Sequence, residues 1–102
     1  MPQSHQTIDQ RSRALHLAVA RELEAHPEKW EIVWQNLARD EQSGQAHASY
    51  AQRWRQLLEL PWEELKAKLG EATEEMDALR QCSPFSGVLP NEERWRIFEE
   101  YR

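Results

Sequence analysis

The sequence predicts an all-α protein, a compact bundle of five or six short helices. Apolar residues recur at intervals of three and four, as they do on the buried side of an amphipathic helix. Proline and glycine divide the 102 residues into segments of helix length. No segment alternates apolar and polar residues as a half-buried strand does. We therefore expect a flexible N-terminus over residues 1–6 and a single helical domain over residues 7–102.

The first helix is predicted over residues 8–25. Thr7 and Gln10 have the spacing of an N-terminal capping box, in which each side chain satisfies a backbone N–H of the first turn. Pro27 ends the segment because proline cannot continue a helix. The apolar stripe consists of Ile8, Leu15, Ala18, Val19 and Leu23.

The next two helices carry most of the aromatic residues. The second is predicted over residues 28–42, and Ser43-Gly44 ends it. Its apolar stripe is Trp30, Val33, Trp34 and Leu37. The third is predicted over residues 47–60. Its apolar stripe is Tyr50, Trp54, Leu57 and Leu58.

Shorter helices follow in the second half of the chain. Pro61 ends the third helix and begins a fourth, which stops at Gly70. Thr73 is predicted to cap a fifth helix. A last helix begins at Pro90-Asn91, and its apolar residues are Trp95, Phe98 and Tyr101.

Residues 83–90 are the only irregular apolar stretch of the sequence. The stretch is too short and too closely bounded by proline to be a central strand. We expect an ordered loop whose Phe85, Val88 and Leu89 insert into the core of the bundle.

No catalytic residue, metal site or cofactor is predicted. None of the four histidines is spaced three or four residues from another, so the sequence has no zinc-binding helix motif. Glu22 and His26 are four apart, but two ligands do not form a site. The three glycines are too few for a phosphate-binding loop.

The composition favours a cytoplasmic protein. Cys82 is the only cysteine, so the chain cannot form an internal disulfide, and a buried, structural thiol is expected. The first six residues are polar and lack the apolar core of a signal peptide. The longest apolar run, residues 17–20, is far too short to span a membrane.

Charge and tryptophan content predict a protein-binding module. The net charge of −5 arises in residues 56–102, which carry eleven acidic and six basic residues; residues 1–55 carry seven of each. Such a surface fits a basic protein partner. Since Trp is enriched at interface hot spots, we predict two aromatic and four acidic contacts: Trp34, Trp62, Glu63, Glu64, Glu74 and Glu75. Acidic residues also stabilise a first helical turn, so that role stays open for the glutamates.

The segment from Leu79 to Trp95 contains Ser83-Pro84-Phe85-Ser86-Gly87-Val88-Leu89 followed by Glu93-Arg94-Trp95. It resembles small bacterial proteins with a C-terminal Ser-Pro-Phe-x-Gly-x-Leu-x-x-x-Glu-Arg-Trp signature. These proteins look like antitoxin-like partners encoded beside toxin–antitoxin or defence genes, notably nucleotidyltransferase-type ones. The resemblance implies a regulatory subunit without catalytic residues that binds a toxin or effector enzyme.

The same resemblance assigns structural roles within the signature. Pro84 and Gly87 would fix the loop backbone, and Phe85 and Leu89 would anchor it. Arg94 would reach a carboxylate or a loop carbonyl. Trp95 would cover the loop.

Two other functions and a further partner stay open. The first is a nucleic-acid-associated regulatory module, for which the basic residues would have to share a face: Arg11, Arg13, Arg21, Arg53 and Arg55. The second is a small RNase of the HEPN type, in which four to six residues separate an Arg from a catalytic His that follows it. Arg11 and His16 have that spacing, as do Arg21 and His26, but ten arginines and four histidines produce it by chance. A homodimer also stays open, since exposed indoles associate readily.

Overall fold

A computed structural model describes residues 5–102, with side chains for residues 6–44 and 48–102. Within that range the chain forms six α-helices and a 3₁₀ turn, and no strand. In chain order these are α1 (His5–Ala25), the 3₁₀ turn (Pro27–Lys29), α2 (Trp30–Gln42), α3 (Gln45–Leu58), α4 (Trp62–Leu69), α5 (Glu74–Gln81) and α6 (Asn91–Glu100). The predicted all-α bundle is confirmed.

Proline, glycine and capping residues divide the chain largely as predicted. The Thr73 hydroxyl accepts a hydrogen bond from the backbone N–H of Met76 at 3.2 Å, so α5 has the expected N-cap. Gly44 separates α2 from α3 with φ +133°, a backbone conformation that other residues rarely adopt. Gly70 follows the last residue of α4.

The start of α1 differs from the prediction. The helix already includes His5 and Gln6, so Thr7 lies inside it and is not its N-cap. Both residues are tolerated in a helix. Residues 1–4 of the predicted flexible N-terminus lie outside the described residues.

The core is built around α1 and Trp54. α1 packs against α4, α5 and α6, while α2 packs against α3. Trp54 is fully buried, and its indole N–H donates to the Leu79 carbonyl oxygen at 3.0 Å. Because this bond satisfies the only polar atom of the indole, the ring can fill the centre of the bundle without an unpaired donor.

Two predicted core positions are wrong. Tyr50 is 37% exposed, because the buried side of α3 runs through Ala51, Trp54 and Leu57. Trp95 is 64% exposed and does not cover the loop; its ring contacts Phe98, with 5.9 Å between centroids. α6 packs through Ile97, and a residue two positions away points to the opposite side of a helix.

Residues 82–90 form an ordered loop, one residue longer than the predicted 83–90. Phe85 and Val88 are buried, Leu89 is partly buried, and Pro84 is also buried. Gly87 has φ +90°, which favours glycine at this position. The predicted insertion of the loop into the core is confirmed.

Helix α2 and the 3₁₀ turn hold this loop through its main chain. The Asn36 amide donates to the carbonyl oxygens of Pro84 at 3.0 Å and Ser86 at 2.8 Å. The Lys29 ammonium donates to the Val88 carbonyl oxygen at 3.0 Å. The loop is therefore fixed by hydrogen bonds from one side and by apolar burial from the other.

No helix in the described part of the chain is both long and apolar enough to span a bilayer.

Candidate functional site

A pocket of about 510 Å³ lies between α1, the 82–90 loop and the start of α6. We call it the loop pocket. Its apolar lining residues are Leu15, Val19, Phe85 and Leu89. Its polar lining residues are Ser12, His16, Arg80, Gln81, Ser83, Ser86, Asn91 and Arg94. The volume is within the range of small-molecule sites.

His16 joins α1 to the loop through both ring nitrogens. Nδ1 lies 2.7 Å from the Ser12 carbonyl oxygen, and Nε2 lies 2.9 Å from Ser83 Oγ. The imidazole is parallel to the Trp54 ring at 6.5 Å and meets Phe85 edge-on at 5.7 Å. It is therefore both a core ring and a polar bridge over 67 residues of sequence.

The environment of His16 keeps its imidazole neutral. Burial lowers the pKa of His16 to about 4, and the nearby charge of Arg80 acts in the same direction. A carbonyl oxygen only accepts hydrogen bonds, so Nδ1 carries the proton and donates to Ser12. Nε2 therefore accepts the hydrogen bond from the Ser83 hydroxyl.

A serine that donates to a neutral histidine has the arrangement of a nucleophile and its general base. Two features make His16 a weak base. Its pKa of about 4 is far below neutral pH. The group that orients it is the neutral carbonyl of Ser12, where a carboxylate would stabilise the imidazolium. The geometry therefore favours a fixed hydrogen-bonding role for the pair.

Arg80 is a buried cation in the wall of the loop pocket. Its Nη atoms donate to the carbonyl oxygens of Leu69 at 3.1 Å and Glu71 at 2.8 Å, and it forms an ion pair with Asp77. Its Nε is the one buried side-chain polar atom without a hydrogen-bond partner among the described residues. Such a donor in a buried position is unusual in folded proteins.

Asp77 links this arginine to α1. Arg13 donates to both oxygens of Asp77 at 3.2 and 3.0 Å. These hydrogen bonds lower the pKa of Asp77, and Arg80 adds to the effect. α1 and α5 are thus connected by a bidentate ion pair beside the pocket.

Three tryptophans form a second feature, on the surface. The rings of Trp30 and Trp62 meet edge-on at 5.8 Å, and Trp30 lies 6.5 Å from Trp34. Trp34 is 44% exposed, whereas Trp30 and Trp62 are half-buried. The structure therefore brings together the two tryptophans predicted as partner anchors, with Trp30 between them.

Charged residues surround this cluster. The Trp62 indole N–H and the Lys66 ammonium both donate to Glu24, at 2.9 and 3.1 Å, and together they lower the pKa of Glu24. Lys66 also lies 3.6 Å from Glu63. We call Trp30, Trp34, Trp62, Glu24, Glu63 and Lys66 the tryptophan face.

The other three predicted acidic contacts lie elsewhere. Glu75 forms an ion pair with Arg53 at 2.8 Å, and Glu74 is exposed at the start of α5. Glu64 lines a shallow groove on α4 with Leu60 and Lys68. No contact among the described residues connects these glutamates with the tryptophan face.

Most arginines of the open nucleic-acid alternative are already engaged. Arg13 is paired with Asp77, Arg53 with Glu75, and Arg55 donates to Glu41 at 2.9 and 2.7 Å. Arg11 lies over the Phe98 ring, 4.4 Å from its centroid. A phosphate backbone would have to displace these contacts.

Arg94 does not make its expected contact with the loop. Its guanidinium lies 5.3 Å from the centroid of the Phe98 ring. No carboxylate or loop carbonyl among residues 6–44 and 48–102 accepts a hydrogen bond from it. Stacking on Phe98, one turn further along α6, keeps the side chain at the pocket instead.

Three features were not predicted from the sequence. They are the hydrogen bond between His16 and Ser83, the hydrogen bonds from Asn36 to the loop, and the buried ion pair of Arg80. The burial of His16 could have been predicted from its spacing. It lies four and seven residues before Ala20 and Leu23, on the buried side of α1. Its partner Ser83 is too distant in sequence for any spacing rule. His5 and His47 are among the residues whose side chains are not described.

No protein-family model, curated protein or solved structure matches this chain. Within the described residues, no group of three or more His, Cys, Asp or Glu side chains could hold a metal ion.

Proposed function

We propose that this protein is a non-enzymatic binding module, an antitoxin-like or regulatory subunit that controls a cytosolic toxin or effector enzyme. The partner implied by the signature of residues 83–95 is of the nucleotidyltransferase type. The observation that carries the proposal is the tryptophan face, in which Trp34 is 44% exposed beside two further indoles. Exposed indoles of this kind often dominate the binding free energy of an interface.

The tryptophan face is held in place before binding. Trp62 is fixed by its hydrogen bond to Glu24, and Trp30 packs between Trp62 and Trp34. Little side-chain entropy is therefore lost when a partner covers the cluster. A rigid aromatic surface supports binding as the function better than a mobile one would.

Electrostatics supports a basic partner. The chain has a net charge of −5, and Glu24 and Glu63 outnumber Lys66 on the tryptophan face. A toxin that binds nucleotides or nucleic acid has a basic cleft, to which this surface is complementary. Such complementarity raises the association rate and disfavours other partners.

The test is quantitative binding with a matched tryptophan control. The tagged protein is used to isolate its partner from the source cells, and the purified pair is then studied by calorimetry. Trp34→Ala is expected to weaken binding by about 30-fold or more, since it removes the exposed indole of the tryptophan face. Trp95→Ala removes an even more exposed indole from α6 and is expected to leave the affinity unchanged.

Three outcomes would reject this proposal. Trp95→Ala and Trp34→Ala could weaken binding equally, which would remove the special role of the tryptophan face. Recovery of only a second copy of the chain would indicate self-association. Recovery of nucleic acid with steep salt dependence would indicate the nucleic-acid alternative.

A further inference from the structure

The loop pocket has no role in the proposed partner contact, and its charge pattern differs from that of the whole chain. Two guanidinium groups, those of Arg80 and Arg94, line it, and no carboxylate does. The chain as a whole has 18 acidic and 13 basic residues. Asp77 already pairs with Arg80, so Arg94 is the one lining cation without a described carboxylate partner.

Arg94 is the accessible cation of the pocket. It is exposed and stacks on Phe98, and no described carboxylate forms an ion pair with it. Stacking against an aromatic ring restricts the guanidinium without using its N–H donors. Those donors remain free to bind a planar or tetrahedral oxyanion in a bidentate manner.

The pocket has other polar groups besides Arg94. Arg80 has an Nε–H without a partner in the described structure, but its side chain is fully buried, so a ligand does not reach this donor. Asn91, the first residue of α6, also lines the pocket, and Pro90 provides no side-chain cap for that helix. The N-terminus of this ten-residue helix therefore borders the pocket; Glu92 and Glu93 also lie in its first turn but do not line the pocket.

The pocket lining also includes the apolar residues Leu15, Val19, Phe85 and Leu89, within a total volume of about 510 Å³. A bare inorganic ion would leave these side chains in contact with water. The combination of a cationic side chain and apolar lining residues fits a ligand that has both an anionic group and a hydrocarbon body.

We propose that the loop pocket binds a small organic oxyanion, a carboxylate or a phosphate monoester with an apolar body. Arg94, Asn91 and the start of α6 hold the oxyanion. Phe85 and Leu89 contact the hydrocarbon part. His16 and Ser83 keep the loop at the distance from α1 that leaves the pocket open.

The test uses phenyl phosphate and benzoate as probes of the full chain, followed by NMR titration and calorimetry. We expect saturable shifts of the Arg94, Asn91 and Ser83 resonances with at least one of the two probes. Benzylamine has a similar ring and the opposite charge, and inorganic phosphate has the charge without the ring. Both are expected to bind at least tenfold more weakly than the better of the two probes.

The matched variants are two arginines of the same helix. Arg94→Gln removes the accessible cation and is expected to weaken binding at least tenfold. Arg96→Gln removes an exposed arginine that does not line the pocket and is expected to have no effect. Unchanged circular dichroism shows that either variant is folded.

Tighter binding of phenyl phosphate would identify the ligand class as a phosphate monoester, and tighter binding of benzoate would identify it as a carboxylate. Three results would overturn the site: no saturable shift at millimolar concentrations of either probe, equal binding of benzylamine, or equal effects of Arg94→Gln and Arg96→Gln.

Discussion

His16 is a polar residue that the core uses in place of an apolar one. Only 6% of the residue is exposed, and both of its ring nitrogens have hydrogen-bond partners. A buried polar group costs little when every donor and acceptor is satisfied. The ring therefore fills the space between Trp54 and Phe85 and also fixes Ser83 in the loop.

This residue makes the free energy of unfolding depend on pH. The unfolded chain binds a proton at His16 near pH 6.5, whereas the folded chain does so only near pH 4. Stability is therefore complete above pH 6.5 and decreases as the pH falls towards 4, by about 3 kcal/mol in total. Urea unfolding between pH 7 and pH 5, followed by tryptophan fluorescence, measures the decrease.

The variant His16→Gln separates this effect from that of the carboxylates. The pKa of Asp77 is lowered from a normal value of 3.8, so its contribution is lost only at more acidic pH. We expect His16→Gln to be less stable at pH 7 and nearly independent of pH between 7 and 5. An equally steep pH dependence in the variant would contradict the assignment.

At the scale of elements, the loop of residues 82–90 acts as a part of the core without regular structure. Phe85 lies edge-on against both Trp54, at 5.3 Å, and His16. Val88 is fully buried on the side of the loop held by Lys29. The loop thus connects α5 to α6 and also closes the bundle above Trp54.

Phe85→Ala is expected to destabilise the fold by about 3–5 kcal/mol, because it removes a buried aromatic ring and leaves a cavity beside Trp54. Denaturant unfolding at neutral pH measures the change. Ser86→Ala, an exposed neighbour in the same loop, serves as the control and is expected to change stability by less than about 0.5 kcal/mol. Equal midpoints for the two variants would show that the loop does not support the core.

The elements themselves were largely predictable, because helix boundaries depend on local features. Pro27, Gly44, Gly70 and Thr73 act on their own neighbours, and apolar periodicity identifies the buried side within about one residue. That uncertainty of one residue explains why Tyr50 was predicted to be buried but is exposed. It lies just beside the buried side of α3.

The polar contacts of the candidate site were not predictable in the same way. Asn36 and Pro84 are 48 residues apart, and His16 and Ser83 are 67 apart. Such pairs meet only after the helices pack, so no spacing within the sequence indicates them. The tryptophan face was predictable only in part. The sequence predicts Trp34 and Trp62 at the surface, but their contact through Trp30 depends on how α2 and α4 pack.

At the scale of the whole molecule, the helices contribute unequally to the bundle. α1 is the central element and packs against α4, α5 and α6. α6 packs mainly against α1, and Ile97 is its one buried residue. The last helix is therefore attached to the rest of the fold by a small apolar contact.

We expect the backbone amides of α6 to exchange with solvent through local opening, faster than those in the middle of α1. An element with few buried side chains opens at a lower free energy than the whole protein unfolds. Hydrogen exchange followed by NMR measures both sets of amides in one sample. Equal protection of α1 and α6 would show that α6 unfolds only with the whole molecule.

The hydrogen bonds by which α2 and the 3₁₀ turn hold the loop do not depend on the side chains of the loop. Asn36 and Lys29 bond to the carbonyl oxygens of Pro84, Ser86 and Val88, and every amino acid supplies such an oxygen. The exposed side chain at position 86 can therefore be exchanged while the path of the chain is kept. A substitution at position 86 therefore changes the lining of the loop pocket without changing the hydrogen bonds that hold the loop on the bundle.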